Sequence, residues 1–309
     1  MDPLSDVLSL LKLHSYACGG FDVGGDLCIR FLEHIGIKCY AVVAGQGWLL
    51  VEGISDPVQL HAGDCFLLPR GRPFSLATEL GLTPIEFSTL RRKKKNGTVG
   101  VYNGGGKFSM VGGHFAMSAH HASILLGVLP PVVHLQKESD KAVLRWSIER
   151  MMEELREPQP GSLLIAEHLA HMMLLQALRL HLSNAPQGQV GWLFALADKQ
   201  MSAAITALHE EPGHRWTIQE LAEHAGMSRS TFAQRFKDTV GESPMEYLTR
   251  WRMLVAGDKL VNSTDPVSVI SLALGYESEA AFSTAFKRVM GCSPRQYGRG
   301  DRLESAAHG

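Results

Sequence analysis

Two stretches near the end of the chain hold the residues whose types and spacing are best suited to chemistry. Ser228, Phe232, Phe236, Lys237, Gly241, Ser243, Pro244 and Tyr247 recur fifty positions later, with no gap, as Ser278, Phe282, Phe286, Lys287, Gly291, Ser293, Pro294 and Tyr297. Eight identities in one register mark a duplication. In each copy two Phe four positions apart share a helix face, and Gly then Pro end that helix and start the next. Thr217 and Glu220 have the spacing of a capping box, Gly226 breaks the helix they open, and Ser228 caps the following one. Asp265-Pro266, Gly275 and Ser278 repeat that order. Ala222 and Ser271 stand four positions before the turn glycines, where two steeply crossing helices need small side chains. Each copy is therefore helix, tight turn, helix. Such a unit can lay its second helix in a DNA major groove, with exposed side chains on base edges and cations on phosphates. The competing reading is an αα-hairpin repeat that binds protein. The segment PMEYLTRWRMLVAGDKLVN between the copies favours DNA. A helix of about 15 residues there holds two recognition helices at a fixed separation, and the same groove returns after about 34 Å.

Other reactive residues are less organised. The five cysteines, Cys18, Cys28, Cys39, Cys65 and Cys292, are scattered and never form a CxxC pair, so reduced thiols are expected. Cys28, Cys39 and Cys65 lie in apolar runs and read as small core residues. Cys18, in a Gly-rich segment expected to be exposed, is a candidate redox site. His120 and His121 are adjacent and would face opposite sides of a strand. The basic run RRKKK at 91–95 reads as a solvated loop.

These residues sit in a chain of 309 residues, enough for about two domains. With 45% hydrophobic and 20% charged residues, the composition is that of a folded protein, not a disordered or coiled-coil one. No run reaches the roughly 18 uninterrupted apolar residues of a membrane span, and MDPLSDVLSLLKL has acids where a signal peptide has cations. A cytoplasmic location is expected. The net charge is −1, and from Asp198 onward 13 Lys and Arg face 14 Asp and Glu, so positive surface must come from placement.

Leu4, Val7, Leu8 and Leu11 give a short amphipathic helix, expected to pack on the segment that follows it. From about 28 to 78 the pattern is strand and turn, with turns expected at Gly45–Gly47 and Ala62–Asp64. Gly- and Pro-rich segments to about 135 suggest further short strands closing a barrel or sandwich. After Asp140 the period becomes helical. Two helices span about 139–183, the second apolar around much of its circumference and in need of a partner. NAPQGQVG at 184–191 is the expected linker.

GMSRSTFAQRFKDTVGESPMEYLTRWRM and GYESEAAFSTAFKRVMGCSPRQY resemble the two halves of the DNA-binding domain of AraC/XylS-type transcriptional regulators, over about 198–300. The resemblance implies helix-turn-helix units at about 217–239 and 266–289, with groove helices at about 228–239 and 278–289. It puts base-reading positions on Ser230, Ala233 and Gln234 in the first, and on Glu279, Ala280, Ala281 and Thr284 in the second. Many relatives have Arg where Gln234 and Thr284 stand, so an altered preference is implied, such as adenine at Gln234. Arg229, Arg235, Lys237, Lys287 and Arg288 are the candidate phosphate contacts.

Gly63, Pro69, Gly71 and Phe74 have the spacing of the second cupin motif, in which Phe74 would be a metal-binding His. In the first motif Leu32, His34 and Lys38 fall on the His, His and Glu positions. A protonated Lys offers no lone pair, so neither a metal nor catalysis is expected, and no cofactor. With YAVVAGQGWLLVEG, GDCFLLPRGRPF and LLGVLPPVVHL, the chain is similar to the cupin-containing branch of these regulators over nearly all of 1–300.

The resemblance implies an α+β protein. Residues 1–190 form a cupin-like antiparallel β-barrel with packed helices, for sensing or dimerisation. Residues 198–300 form an all-α domain with two helix-turn-helix motifs. Candidate ligand-pocket residues are His34, Tyr40, Trp48, His61 and Phe74. The expected partners are double-stranded DNA, an unidentified effector, a second copy of the chain and RNA polymerase. The rival reading is a metal-dependent cupin enzyme with a helical appendage.

Overall fold

The computed structural model describes residues 2–11, 14–91, 98–116, 127–185 and 188–299. It divides into two units, Leu13–Asn184 and a second formed by Met1–Lys12 together with Ala185–Gly309. The basic run beyond Arg91 and the pair His120-His121 lie outside the described residues.

The first unit is organised by β3 (Ile37–Val51). The glycines expected to make a hairpin turn lie inside this single strand. Gly45 has φ +79°, and a Cβ there would stand 2.0 Å from the Lys107 carbonyl oxygen. Together with a register shift between Val42 and Ala44, the glycine bends the strand from one sheet into another. Its first half pairs antiparallel with β9 (Phe108–Ala116) and β5 (Cys65–Leu68). Its second half pairs with β4 (Val58–His61) and β6 (Phe74–Ala77). The Ala62–Asp64 turn joins β4 to β5 as expected. β1 (His14–Val23) extends the first sheet beside β9 and pairs parallel with β8 (Val99–Tyr102). β2 (Cys28–Phe31) extends the second beside β6, with the short β7 (Ile85–Glu86) at its edge. Helix α2 (Phe87–Arg91) follows directly, and β10 (Val133–Leu135) pairs with β5. The result is a curled half-barrel.

Alternation places one set of side chains inside it. Phe21, Phe31, Tyr40, Val42, Leu49, Phe66, Phe74, Phe108 and Met110 belong to one buried cluster. The first half of β3 is buried on both faces, which explains its continuous apolar run; its second half alternates. Helices α3 (Glu138–Arg156) and α4 (Ser162–Ser183) form an antiparallel hairpin packed on the sheet. α4 has the length and mean hydropathy of a membrane span, but Ala166, Ala170, Met173 and Ala177 are buried in this contact. Asn184 closes the hairpin, donating 2.8 Å to Asp140 Oδ2 and accepting 2.7 Å from Lys137 Nζ. Asp64 locks the β4–β5 turn from inside. Its buried carboxylate accepts from the His61 amide at 2.9 Å, and lies 3.0 Å from His134 Nε2 on β10 and 3.1 Å from Lys141 Nζ on α3.

The second unit is helical. It contains α1 (Pro3–Leu11), α5 (Trp192–Ala195), α6 (Lys199–Glu210), α7 (Ile218–His224), α8 (Arg229–Val240), α9 (Pro244–Asn262), α10 (Val267–Ala273) and α11 (Glu279–Met290). The N-terminal helix, expected to pack on the segment that follows it, belongs to this unit instead. It lies against α6 and α9, burying Leu4 and Val7. The local pattern specified an apolar stripe but not which surface covers it. At this contact His209 stacks on Trp251 at 3.6 Å, meets the Tyr247 hydroxyl at 2.8 Å through Nε2, and has Asp6 Oδ2 3.5 Å from Nδ1.

Burial lowers the His209 pKa from 6.5 to about 3. The fold therefore keeps this ring neutral, whereas the unfolded chain takes up a proton below about pH 6.5. Its contribution to stability is complete above 6.5 and is lost as the pH falls toward 3. Between pH 7 and pH 5 the loss should be about 2 kcal/mol. Urea unfolding of the wild type and His209→Gln at both pH values checks this, since the variant should lack that part of the pH dependence.

Candidate nucleic-acid interface and cavity

The recognition helices of the two copies are built by the same local chemistry, but the helices before them are not: α10 has Pro266 at its start and no side-chain cap, where α7 has a capping box. Thr217 and Glu220 form the capping box of α7, and Ser228 accepts the Thr231 amide to cap α8. Ser278 caps α11 by accepting from Ala281. Gly226 and Gly275 take φ +64° and +78° in the two turns, and Gly241 and Gly291 close α8 and α11 in the left-handed region. Across the turns the Met227 amide donates to Ala222 at 2.8 Å, and the Tyr276 amide to Ser271 at 3.0 Å. Phe232 and Phe236 are fully buried, as are Phe282 and Phe286. Each second Phe packs edge-on against the tyrosine of the next segment, Phe236 on Tyr247 at 5.8 Å and Phe286 on Tyr297 at 5.5 Å.

Anchoring those faces turns the opposite faces outward. Arg229, Ser230, Gln234, Arg235 and Lys237 are exposed on α8, as are Ala280, Ala281, Thr284, Lys287 and Arg288 on α11; Ala233 and Glu279 are half-buried. Among the described residues the side chains of Arg229, Lys237, Lys287 and Arg288 have no hydrogen bond or ion pair. Arg235 differs from the other candidate phosphate contacts. It donates 2.9 Å to Gln200 Oε1 and pairs with Asp198, bracing α8 against the start of α6. Burial works to raise the Asp198 pKa, but the Met201 amide and Arg235 outweigh it and the carboxyl is held low. The Gln234 amide donates 2.8 Å to Asp238, and the Thr284 hydroxyl 3.0 Å to the Ala280 carbonyl. Glu279 lies 3.6 Å from Arg295.

A tertiary clamp joins the two copies, and nothing in the repeat signals it. The loop at 212–214 lies against the turn of the second copy. A Cβ on Gly275 would fall 2.4 Å from the Gly213 carbonyl oxygen, and a Cβ on Gly213 the same distance from that of Ala273. Arg252 on α9 fastens the contact, donating 2.6 Å to the Pro212 carbonyl and 2.8 Å to that of His214, with its guanidinium 5.6 Å from the Tyr276 ring centre.

The half-barrel holds a cavity of about 410 Å³ that is open on one side. His34 and Tyr40 line it, and Phe74 stacks beneath Phe31 at 4.5 Å. Trp48 and His61, expected beside them, lie outside. Leu49, Val51 and Leu60 point inward, so their neighbours in the strands point outward. Cys18 is not exposed: it is 3% accessible, on β1, and lines the cavity. Lys38 and His114, which were not among the candidate pocket residues, are also on the cavity wall. The inward parity of Tyr40 and Val42 includes Lys38, and this was the available signal.

The positions aligned with cupin metal ligands do come together. The His34 ring lies 6.0 Å from Phe74 and 5.6 Å from His114, and the Lys38 ammonium 4.8 Å from the Phe74 centroid. They do not suit a metal, because an ammonium and a phenyl ring replace two donors. No group of three or more His, Cys, Asp or Glu among the described residues is placed to hold one. Burial lowers the Lys38 pKa to about 8. Burial, then the charge of Lys38, lowers that of His34 to about 3.

Two helix-turn-helix units carried behind a cupin-like half-barrel define a DNA-binding transcription regulator. The Cupin family profile matches residues 2–183, and a Helix-turn-helix domain profile matches 221–300. The chain is 41% identical over 298 residues to an AraC-like transcription regulator of Streptomyces antibioticus, covering 96% of this chain and 98% of that one. It is 27% identical over 307 residues to the HTH-type transcriptional regulator AlkR of Acinetobacter baylyi, covering 96% and 99%. The crystallised DNA-binding domain of AdpA, in complex with a target DNA, aligns at 30% identity over 33% of this chain and 91% of that one, with a TM-score of 0.32. The chain belongs to the AraC-type transcriptional regulators.

Proposed function

We propose that this protein is a cytoplasmic, sequence-specific regulator whose N-terminal cavity takes a small-molecule effector. α8 and α11 enter successive major grooves. Gln234 reads a base in the first, Thr284 and Glu279 face bases in the second, and Arg229, Lys237, Lys287 and Arg288 contact phosphates. The observation that carries this reading is the pair of identically capped, Phe-anchored recognition helices joined by α9. Its 19 residues span about 28 Å, comparable to one turn of DNA. A small molecule is favoured over an oxidant because Cys18 is buried in the cavity wall. The reading includes a homodimer, supported by exposed Trp146 and Leu164 on the α3–α4 hairpin, and contact with RNA polymerase at the promoter.

Selection from a random DNA pool at low and physiological salt tests the DNA reading. Two short elements about one helical turn apart should enrich. If no element enriches at low salt, sequence-specific binding is refuted. In the same format Gln234→Ala should relax preference at one position of the first element, by about 1–3 kcal/mol. An unchanged preference at every position removes the assignment of Gln234.

A further inference from the structure

We propose that the cavity of the half-barrel binds a small monocarboxylate with an apolar body, its carboxylate on Lys38. This deepens the effector reading above and rests on it. Lys38 is 8% exposed, yet no carboxylate among the described residues forms an ion pair with it. Its ammonium stands 4.8 Å from the centres of both the Phe31 and Phe74 rings. Ring faces offset only part of what an ammonium loses on leaving water, so an unpaired cation in this position is costly. A chain that keeps it there has a use for the charge.

The neighbouring groups specify how much charge is sought. Burial lowers the pKa of His34 and of His114, so both rings are neutral around pH 7. Lys38 is then mostly protonated and is the buried charge on the cavity wall; Arg30, Glu33 and Glu86 also line the cavity but are exposed, and Arg30 pairs with Glu52 at 3.4 Å. One negative charge answers that of Lys38. Both His34 nitrogens are shut off from solvent with no hydrogen-bond partner of good geometry, while His114 Nε2 is held by the Ile35 carbonyl at 2.6 Å. Neither ring nitrogen of His34 is open to the cavity, so the charged contact for a carboxylate is Lys38 alone.

Apart from the exposed Arg30, Glu33, Glu86 and Ser88, the wall is largely hydrocarbon, with Phe21, Phe31, Leu32 and Phe87 facing the space. A volume of about 410 Å³ is at the small end of ligand cavities. A sugar would leave its hydroxyls unsatisfied against these rings, and a phosphate or dicarboxylate would bring more charge than one ammonium balances. A single ring or a short chain ending in one carboxylate satisfies both ends.

The test uses the full-length protein in calorimetric titrations with hexanoate and phenylacetate, their neutral amides, and succinate. The two monocarboxylates should bind at least about tenfold more tightly than their amides or succinate. Lys38→Met should abolish this preference without changing the amide affinities, and Lys38→Arg should keep part of it. The proposal is overturned if the amides bind as well as the acids, if Lys38→Met retains the preference, or if neither acid binds at millimolar concentration. DNA affinity measured with and without bound acid separates the two readings. An acid that binds through Lys38 but leaves DNA affinity unchanged leaves the carboxylate site standing and removes the effector reading.

Discussion

Gly275→Ala is expected to lower affinity for a two-element DNA site by about a hundredfold while leaving affinity for the first element alone nearly unchanged. Two effects combine at this position. The backbone is left-handed at φ +78°, which costs an L-residue roughly 1–2 kcal/mol. The added Cβ would also stand 2.4 Å from the Gly213 carbonyl oxygen, a backbone atom that moves only if its loop moves. The loop at 212–214 must then leave the second turn and release the carbonyls that Arg252 holds. Each helix-turn-helix unit keeps its own Phe anchors and caps, so each can still fold. What is lost is their fixed separation, and with it the gain from binding two sites at once. Fluorescence anisotropy at constant salt, with a full site and with a site holding only the first element, reads the difference. An equal loss on both DNAs would mean that the first helix-turn-helix copy itself is damaged. No loss on the full site would mean that the clamp does not set the spacing.

Asp64→Ala is expected to destabilise the half-barrel by about 3–5 kcal/mol, the range found when one partner of a buried charge cluster is removed. The carboxylate is almost completely buried and is the shared partner of Lys141 and His134. It also fixes the β4–β5 turn through the His61 amide. Without it the mostly buried Lys141 retains only Glu138, at 3.1 Å and largely in solvent. Urea unfolding followed by a probe in the N-terminal unit should show a midpoint shift of that size. A shift below about 1 kcal/mol would mean that water replaces the carboxylate and that the cluster is not what holds the turn.

What the sequence revealed and what it hid separate by range. The duplication, the capping residues Thr217 and Ser228, the turn glycines and the buried Phe pairs were legible, because each acts within about four residues of itself. The strand parity that puts Lys38 inside the barrel was also local. Lys38, Tyr40 and Val42 share one face by alternation, but this half of β3 is buried on both faces, so its apolar run does not say which face is inward. The Gly213–Gly275 approach and the Arg252 clamp bring together segments about forty to sixty residues apart, and no periodicity records such contacts. Cys18 was misjudged for a related reason. Its Gly-rich surroundings suggest exposure, but the glycines let β1 and β9 approach closely. Arg235 has the position of a phosphate contact, and its tie to Asp198 and Gln200 depends on how α6 packs against α8.

The position of α1 has a topological consequence. Residues 3–11 and those from Ala185 onward belong to the DNA-binding unit, and the segment between them builds the half-barrel. The half-barrel is thus an insertion attached at both ends, and a single nick in the 184–191 connection would not release it. The two fragments would stay together through the buried Leu4, Val7 and the Asp6–His209 contact. A DNA-binding fragment cut to begin at Ala185 would lack the helix that covers His209 and Trp251. A well-behaved excised reader therefore needs residues 3–11 restored, either through a short covalent bypass or as a peptide supplied in trans.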